Sequence, residues 1–291
     1  MISETARYLI FFQYIGTKYS GVMKAPAHQA VKGVQNYLED AVRKLKPVNS
    51  ISLYISSRTD TGVHALGNSA HFDLQRQNGK PPLDEQVLVE ALNFHLRPET
   101  IRVTCAYRVP GGFHARFQAV SRTYVYRLAT GVHHHSSIPL TDDKLSWGIR
   151  HIDLDIGAMR DAAALLVGTH NFSSFRALNS ETPHKDPVKT LDQASLEPGD
   201  AFVRRHFHRE IQFWELTFRS RSFLYKQVRR MTGALVAVGQ GKMSVSGVKE
   251  LLEAQDSLAY PQNIIAPPDG LFLIRVDYDR FGDGLQPTSC S

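Results

Sequence analysis

The sequence predicts an α+β protein with two halves, each built from a sheet covered by helices. Strand-like apolar runs and segments with helical apolar spacing follow one another in both halves. A chain of 291 residues is long enough to bury a substantial core. Its content of 42% hydrophobic and 21% charged residues is that of an ordinary globular protein. We therefore divide the chain into a first half at residues 1–130, a connection at 131–150, a second half at 151–280 and a loose tail at 281–291.

Apolar periodicity and helix-ending residues mark the elements of the first half. Apolar residues from Val31 to Leu45 recur at helical spacing, and Pro47 ends that helix. Asp84 is expected to cap a second helix, which ends before Pro98. Strands are predicted at residues 7–14, 51–55, 70–74, 101–109 and 123–128.

The second half repeats this alternation of strands and helices. A helix is predicted at residues 153–167, with Gly168 in the C′ position that often takes a left-handed backbone. A long helix is expected from Ser222 to Val238, because apolar residues recur there every three or four positions. The remaining predicted elements are a short helix near 246–254 and strands near 188–196, 209–219 and 271–276.

Composition excludes several classes of protein. Cys105 and Cys290 provide neither a disulfide framework nor a metal-binding spacing, which is typical of a reducing intracellular compartment. No run of about 18 apolar residues is present, so we expect no membrane span. The N-terminus lacks the pattern of a secretory signal. We expect an intracellular protein, with mitochondrial and cytosolic locations both open. The net charge of +6 permits binding to a polyanion without establishing it.

Two segments are rich in histidine or other basic residues. Residues 133–135 are three consecutive histidines, but no cysteine or carboxylate has the spacing that would complete a metal site. A solvated loop is therefore favoured there. Residues 204–209 interleave basic and aromatic side chains. That segment suits either an RNA-contacting loop or a solvated hairpin tip.

The candidate catalytic residue is Asp60, in a glycine-containing loop between the strands predicted at 51–55 and 70–74. A loop at a strand end can hold a side chain at the mouth of a cleft. An aspartate beside glycine also often does no more than stabilise its own turn. The loop by itself leaves both interpretations open.

Two other enzyme classes are excluded by missing partners. Asp60-Thr61-Gly62 has the form of an aspartic protease signature, but that mechanism needs a second Asp-Thr-Gly or Asp-Ser-Gly, which the sequence lacks. His208 and Glu210 have the His-x-Glu spacing of a zinc deaminase. The Pro-Cys-x-x-Cys motif that such an enzyme requires is absent.

Several blocks of the chain resemble TruA-type tRNA pseudouridine synthases. Residues 58–65, Arg-Thr-Asp-Thr-Gly-Val-His-Ala, are similar to the family's active-site signature, Gly-Arg-Thr-Asp-Ala-Gly-Val-His-Ala. Further similar blocks follow in the family's order at residues 113–117, 121–127, 168–175, 222–233 and 270–273. They span roughly residues 7–279, and their wording is most similar to an animal branch of the family.

The resemblance implies two similar halves joined through an extended antiparallel sheet, with a central RNA-binding cleft. It also implies one catalytic carboxylate, because the reaction detaches uracil from the ribose, rotates it in place and rejoins it through C5. Asp60 would act on the sugar as nucleophile or as base. Arg229 would keep that carboxylate ionised. Tyr124 would stack on the extruded base.

The residues by themselves also allow simpler roles. Arg229 would then be an arginine on the surface of its helix, which is also what we expect of Arg230. Tyr124 would be an aromatic residue of a strand, with its ring facing the core. The resemblance assigns three more residues to RNA. Arg58 would fill the gap left by the flipped base or hold a phosphate; its alternative is a loop salt bridge. His114 and Arg116 would line the RNA path, with local turn packing as the alternative.

One departure from the family's pattern follows the first strand. The family usually reads Tyr-Ser-Gly-Trp-Gln there, whereas Val22 and Met23 follow Tyr-Ser-Gly in this chain. The missing tryptophan is expected to affect which uridines are modified and how RNA is bound, and to leave the reaction itself unchanged.

The same resemblance implies that the protein uses no cofactor and no metal and forms a homodimer. It also implies a structured RNA substrate, most of all tRNA near the anticodon arm. Two alternatives stay open. One is the same reaction on mRNA or mitochondrial transcripts. The other is an RNA-binding protein whose catalysis is dispensable.

Overall fold

A computed structural model describes residues 4–134, 137–150, 154–178, 186–202 and 211–279. The chain divides into two compact units. The first takes the described residues up to Ser121 and those from Leu273 onward, and the second is Arg122–Phe272. Each unit combines antiparallel strands with helices, so the predicted α+β class is confirmed. Within the described ranges, no helix is long and apolar enough to cross a membrane.

The first unit is built around a strand from the N-terminus that pairs with a neighbour on each side. Its strands are β1 (Thr5–Tyr14), β2 (Tyr54–Ile55), β3 (His64–Gln75) and β4 (Ile101–Val109), with most of β10 (Leu271–Tyr278). The order is β4-β1-β3-β10, and β2 pairs with β3. Strand β1 is antiparallel to both neighbours, and its pairing with β3 shifts register between Phe12 and Tyr14. The strand predicted at 51–55 is shorter in the structure, where only its last two residues pair.

Two helices belong to this unit, α1 (Val34–Arg43) and α2 (Glu85–Leu96). Helix α1 begins three residues later than the apolar spacing indicates, so that Val31 lies outside it and is exposed. The predicted cap of α2 is confirmed, since the Asp84 carboxylate accepts hydrogen bonds from the backbone N–H groups of Gln86 and Val87.

Within the residues that the structure describes, the second unit contains five strands, one of them shared at its start with the first unit, and three helices. Its strands are β5 (Ala119–Thr130), whose first residues belong to the first unit, β6 (Trp147–Gly148), β7 (Gly168–Asn171), β8 (Val188–Gly199) and β9 (Gln212–Ser220). They pair in the order β5-β9-β8-β7, with β6 parallel to β5. The helices are α3 (Ile156–Leu166), α4 (Gln227–Gly239) and α5 (Val245–Ala254).

Helix α4 is shorter than predicted. The sequence predicts a helix from Ser222, but α4 begins at Gln227, because Lys226 has a left-handed backbone with φ 57°. The Gln227 side chain turns back to accept the backbone N–H of Leu224 at 2.8 Å. The apolar spacing through Leu224 continues into a turn rather than a helix. By contrast, Gly168 follows α3 with φ 111°, as expected of a C′ glycine.

Three segments singled out in the sequence fall wholly or partly outside the described residues. These are the last histidine of residues 133–135, the basic and aromatic segment at 204–209 and the tail at 281–291.

Candidate active site

Asp60 lies in the loop of residues 56–63, which connects β2 to β3 in the first unit. Its carbonyl accepts the backbone N–H of Val63 at 3.1 Å, and Gly62 takes φ 81°. The backbone of Asp60 therefore closes a tight turn that needs glycine two positions later. The residue as a whole is half-buried.

A cluster of buried polar side chains forms hydrogen bonds with this loop and with each other. The Tyr14 hydroxyl and Thr59 Oγ1 share a hydrogen bond of 2.8 Å. Asn68 donates from Nδ2 to the Ser57 carbonyl at 2.9 Å and to the Tyr14 hydroxyl at 3.4 Å. Burial raises the pKa of Tyr14 to about 12, so the phenol stays protonated and available to this cluster at neutral pH. The two residues on either side of Arg58 are thus fixed by side chains from β1 and β3.

Two glycines bring a second segment of backbone against the same loop. A Cβ on Gly16 would lie 1.9 Å from the Val63 carbonyl oxygen, and one on Gly21 would lie 2.6 Å from that of Thr59. Gly21 also has φ 107°, a left-handed conformation that favours glycine. Close approach of two backbones at these positions therefore requires residues without a side chain.

Hydrogen bonds complete this second contact. The backbone N–H of Val22 donates to the Thr59 carbonyl at 3.3 Å, and Thr61 Oγ1 donates to the Ser20 carbonyl at 3.1 Å. Val22 is fully buried, whereas Met23 is exposed. Val22 stands where the family usually has tryptophan. Its backbone N–H supports the loop, and this contact does not depend on which side chain Val22 carries.

Arg58, His114 and Arg116 come together in the first unit. Partial burial and the neighbouring Arg58 guanidinium lower the pKa of Arg116. The backbone N–H of Arg116 donates to His114 Nδ1 at 3.2 Å. Both arginines are exposed and His114 is half-buried. The structure therefore places positive charge beside the loop that carries Asp60.

Tyr124 lies on β5 in the second unit and is buried. Its ring meets that of Phe223 edge to face, with 5.1 Å between centroids. Within this unit, its surroundings are those of a strand aromatic packed on the segment before α4. The next residue on the same face, Tyr126, is fully buried and donates its hydroxyl to the Pro267 carbonyl at 2.7 Å.

The two adjacent arginines of α4 have different environments. Arg229 is half-exposed and donates from Nε to the Ala266 carbonyl at 2.8 Å. The expectation of a surface position for Arg230 is wrong, because Arg230 is only 5% exposed. Its Nη1 donates to the carbonyls of Ser174, Arg176 and Ser257. Its guanidinium also lies 4.7 Å from the centroid of the Tyr260 ring.

Sequence reasoning missed the residues that support the candidate site. Tyr14, Gly16 and Asn68 lie outside the loop, and no local motif links them to Asp60. The available signal was the position of Tyr14 and Gly16 at the end of the first predicted strand. In the described part of the chain, no three histidine, cysteine, aspartate or glutamate side chains are grouped so as to hold a metal ion.

Comparison with known proteins identifies the class. Residues 10–118 and 162–279 match the family described as tRNA pseudouridine synthase. The chain belongs to this family, as the motifs in the sequence predict. Asp60, Arg58, His114 and Arg116 lie in the first matched stretch and Arg229 in the second, whereas Tyr124 lies between the two.

Individual relatives are similar over almost the whole chain. The tRNA pseudouridine synthase-like 1 of Xenopus laevis is 55% identical over 280 residues, which cover 96% of this chain and 93% of the relative. The Homo sapiens protein of that name is 50% identical, with 96% and 92% covered. The tRNA pseudouridine synthase A of Afipia carboxidovorans is 39% identical, with 94% and 99% covered. The similarity to an animal branch of the family is thereby confirmed.

Proposed function

We propose that this protein converts uridine to pseudouridine in structured RNA, and that its main substrate is tRNA near the anticodon arm. The observation that carries the proposal is the Asp60 loop, which is fixed by buried hydrogen bonds from Tyr14 and Asn68. A reacting carboxylate needs such a fixed backbone, because small displacements cost large factors in rate.

The reaction is an isomerisation, so its atoms balance without a co-reactant. The bond from uracil N1 to ribose C1′ breaks, the base rotates, and a bond from C5 to C1′ forms. The proton lost from C5 is matched by a proton gained at N1. Asp60 acts on the sugar, either as nucleophile at C1′ or as base, and one carboxylate is sufficient because the detached base is retained.

The remaining roles follow from the family resemblance and from the chemistry of each side chain. Tyr124 stacks on the extruded uracil and replaces lost base stacking. Arg229 favours the ionised form of Asp60. Arg58 fills the gap in the RNA or holds a phosphate, and His114 and Arg116 line the path of the strand. The first predicted half, 1–130, thus carries Asp60 and Tyr124, and the second, 151–280, carries Arg229.

The wider setting is proposed on the same basis. The protein acts as a homodimer with a central RNA-binding cleft, and without cofactor or metal. Two cysteines without a disulfide pattern support a reducing intracellular compartment.

The test compares the wild-type protein with Asp60→Asn, which keeps the shape of the side chain and removes its charge. Each protein is incubated with unmodified tRNA and with total cellular RNA, and pseudouridine is mapped at single-nucleotide resolution. We expect modification by wild type, none by Asp60→Asn, and equal RNA binding by both. The modified positions identify the substrate.

Three results would change the proposal. Modification confined to mRNA or mitochondrial transcripts would replace the substrate class and keep the reaction. Equal RNA binding without modification by wild type would leave an RNA-binding protein. Equal modification by wild type and Asp60→Asn would remove Asp60 from the reaction.

A further inference from the structure

A group of four aromatic rings lies beside Arg58 and Arg116 in the first unit. This aromatic patch consists of Tyr54, His71, His114 and Phe117. Tyr54 stacks on His71 with 4.9 Å between centroids and an interplanar angle of 15°. His114 lies 4.7 Å from His71 and 4.3 Å from Phe117. The two outer rings are open to solvent, since Tyr54 is 50% and Phe117 is 68% exposed.

Hydrogen bonds fix the inner rings of the patch. His71 Nδ1 accepts the backbone N–H of Ala115 at 3.1 Å. The carbonyl of Ala115 accepts the hydroxyl of Tyr278 at 2.7 Å. The His114 ring accepts the backbone N–H of Arg116 at Nδ1, at 3.2 Å, and the His114 backbone is held by hydrogen bonds to and from Gln118. The two histidines are therefore oriented before any ligand arrives.

These histidines are uncharged at neutral pH. Burial, with the neighbouring His114 and Arg7, lowers the pKa of His71 to about 4. Burial also lowers the pKa of His114; a backbone hydrogen bond opposes this effect, and Arg7 and Arg116 lower the pKa further. Both rings therefore offer π faces rather than cations, and the positive charge of this region lies on the arginines at its edge.

Arginine beside the outermost ring suits a ligand that is aromatic and anionic at once. The Arg116 guanidinium lies 5.7 Å from the Phe117 ring centroid. The Arg58 guanidinium is close enough to contribute, after burial, to lowering the pKa of Arg116, which stays charged. Single-stranded RNA has this alternation of flat bases and phosphates, and proteins bind it by combining aromatic platforms with cationic grooves.

We propose that the aromatic patch stacks an unpaired RNA base other than the uridine that reacts, while Arg58 and Arg116 hold the adjoining phosphates. The inference rests on the proposed function for the identity of the polymer. It adds a second binding position for RNA, supplied by Phe117 and Tyr54, and it gives His114 a stacking role instead of an ionic one.

The chain supplies a matched control in Phe94 on α2. This ring is 63% exposed, and the Arg97 guanidinium lies 5.7 Å from its centroid, as for Phe117 and Arg116. Phe94 meets His95 edge to face and has no place in the stacked series of the patch. Phe94→Ala therefore removes an equally exposed ring with an equally placed arginine.

The experiment measures RNA affinity in the Asp60→Asn background, so that it does not depend on catalysis. The probes are an unmodified tRNA transcript and the same transcript with single abasic nucleotides at successive unpaired positions. We expect Phe117→Ala to weaken binding by about 5- to 100-fold, the range for loss of one stacked base. Phe117→Trp should retain affinity, and Phe94→Ala should change it by less than about twofold.

The abasic scan separates stacking from a structural role. At one position of the transcript, an abasic nucleotide should weaken binding to the protein that retains Phe117. The same abasic transcript should bind Phe117→Ala no more weakly than the intact transcript does, because both changes remove the same contact. The slope of log affinity against log salt should be unchanged in Phe117→Ala and smaller in Arg116→Gln.

Equal affinities of Phe117→Ala and Phe94→Ala would overturn the inference. So would additive effects of Phe117→Ala at every abasic position, or failure of the chain to bind RNA at all. Absence of pseudouridine in the catalytic assay, with the binding pattern intact, would refute the proposed function and leave the RNA-stacking patch standing.

Discussion

The loop that carries Asp60 and the beginning of α4, which carries Arg229, are supported in different ways. Hydrogen bonds from neutral buried groups, Tyr14 and Asn68, hold the loop in the first unit. A buried guanidinium, that of Arg230, ties α4 to three carbonyls of surrounding loops in the second unit. The comparison teaches that each candidate functional residue depends on a different kind of buried neighbour. For Asp60 the neighbours are uncharged and come from β1 and β3, whereas for Arg229 the neighbour is a charged residue next to it in the chain.

The largest effect is expected from Asp60→Asn. Under the proposed function, removing the carboxylate should lower single-turnover activity by at least about 10³-fold, as for other residues that act on the reacting atoms. The free energy of unfolding should change by no more than about 1 kcal/mol, because asparagine keeps the size and shape of the side chain at this half-buried position. Urea titration and a tRNA pseudouridylation assay measure the two quantities. Asp40→Asn, at an exposed acid on α1, should retain full activity.

Arg230→Met and Arg229→Met test the second half of the comparison. Arg230→Met leaves buried carbonyls without their donor and should cost about 2–4 kcal/mol of stability. Arg229→Met removes the hydrogen bond to the Ala266 carbonyl at a half-exposed position and should cost less than Arg230→Met, about 1–2 kcal/mol. Activity of the remaining folded protein should fall more in Arg229→Met. Denaturant unfolding of the two variants decides the matter, and the reverse order of stabilities would contradict the assignment.

Tyr14→Phe sharpens the claim that polar contacts position the loop. Loss of the hydroxyl should cost about 1–2 kcal/mol of stability and lower the turnover rate by roughly tenfold through misplacement of Asp60. Tyr8→Phe is the control, because the Tyr8 hydroxyl donates to the Leu83 carbonyl at 2.7 Å, in a contact unrelated to the loop. It should lose similar stability and no activity. Equal kinetic losses in both variants would mean that Tyr14 acts only on stability.

The smallest expected effect is an acid sensitivity confined to the first unit. The pKa of His71 is lowered to about 4 by burial and by His114 and Arg7, with Asp73 opposing them. Between that value and the unfolded value near 6.5, the unfolded chain binds the extra proton, so stability falls as pH falls. The loss between pH 7 and 6 should be roughly 0.7 kcal/mol. His71→Phe should flatten this slope in urea titrations, and an unchanged slope would exclude His71 as its source.

The predictions from the sequence were right where one short segment determines the outcome. The Asp84 cap and the left-handed Gly168 depend on neighbours within a few residues, and the loop around Asp60 follows from the two strands that enclose it. The motifs identified the family for the same reason, since they are local.

The errors involve partners that are distant in the chain. Arg230 and Arg229 are adjacent and both charged, and only carbonyls far away in sequence decide which one is buried. The contact of Tyr14 with Thr59 requires the pairing of β1 with β3. The start of α4 was misjudged for a different reason, because apolar spacing does not reveal the left-handed backbone of Lys226.

The close approach at Gly16 and Gly21 has a consequence for how such an enzyme diversifies. The Asp60 loop rests largely on neighbouring main chain, so the exposed side chain of Arg58 is not needed for the close approach of the two backbones. Substitutions at such an exposed position can therefore retarget the protein to other nucleotides while the reaction centre stays where it is.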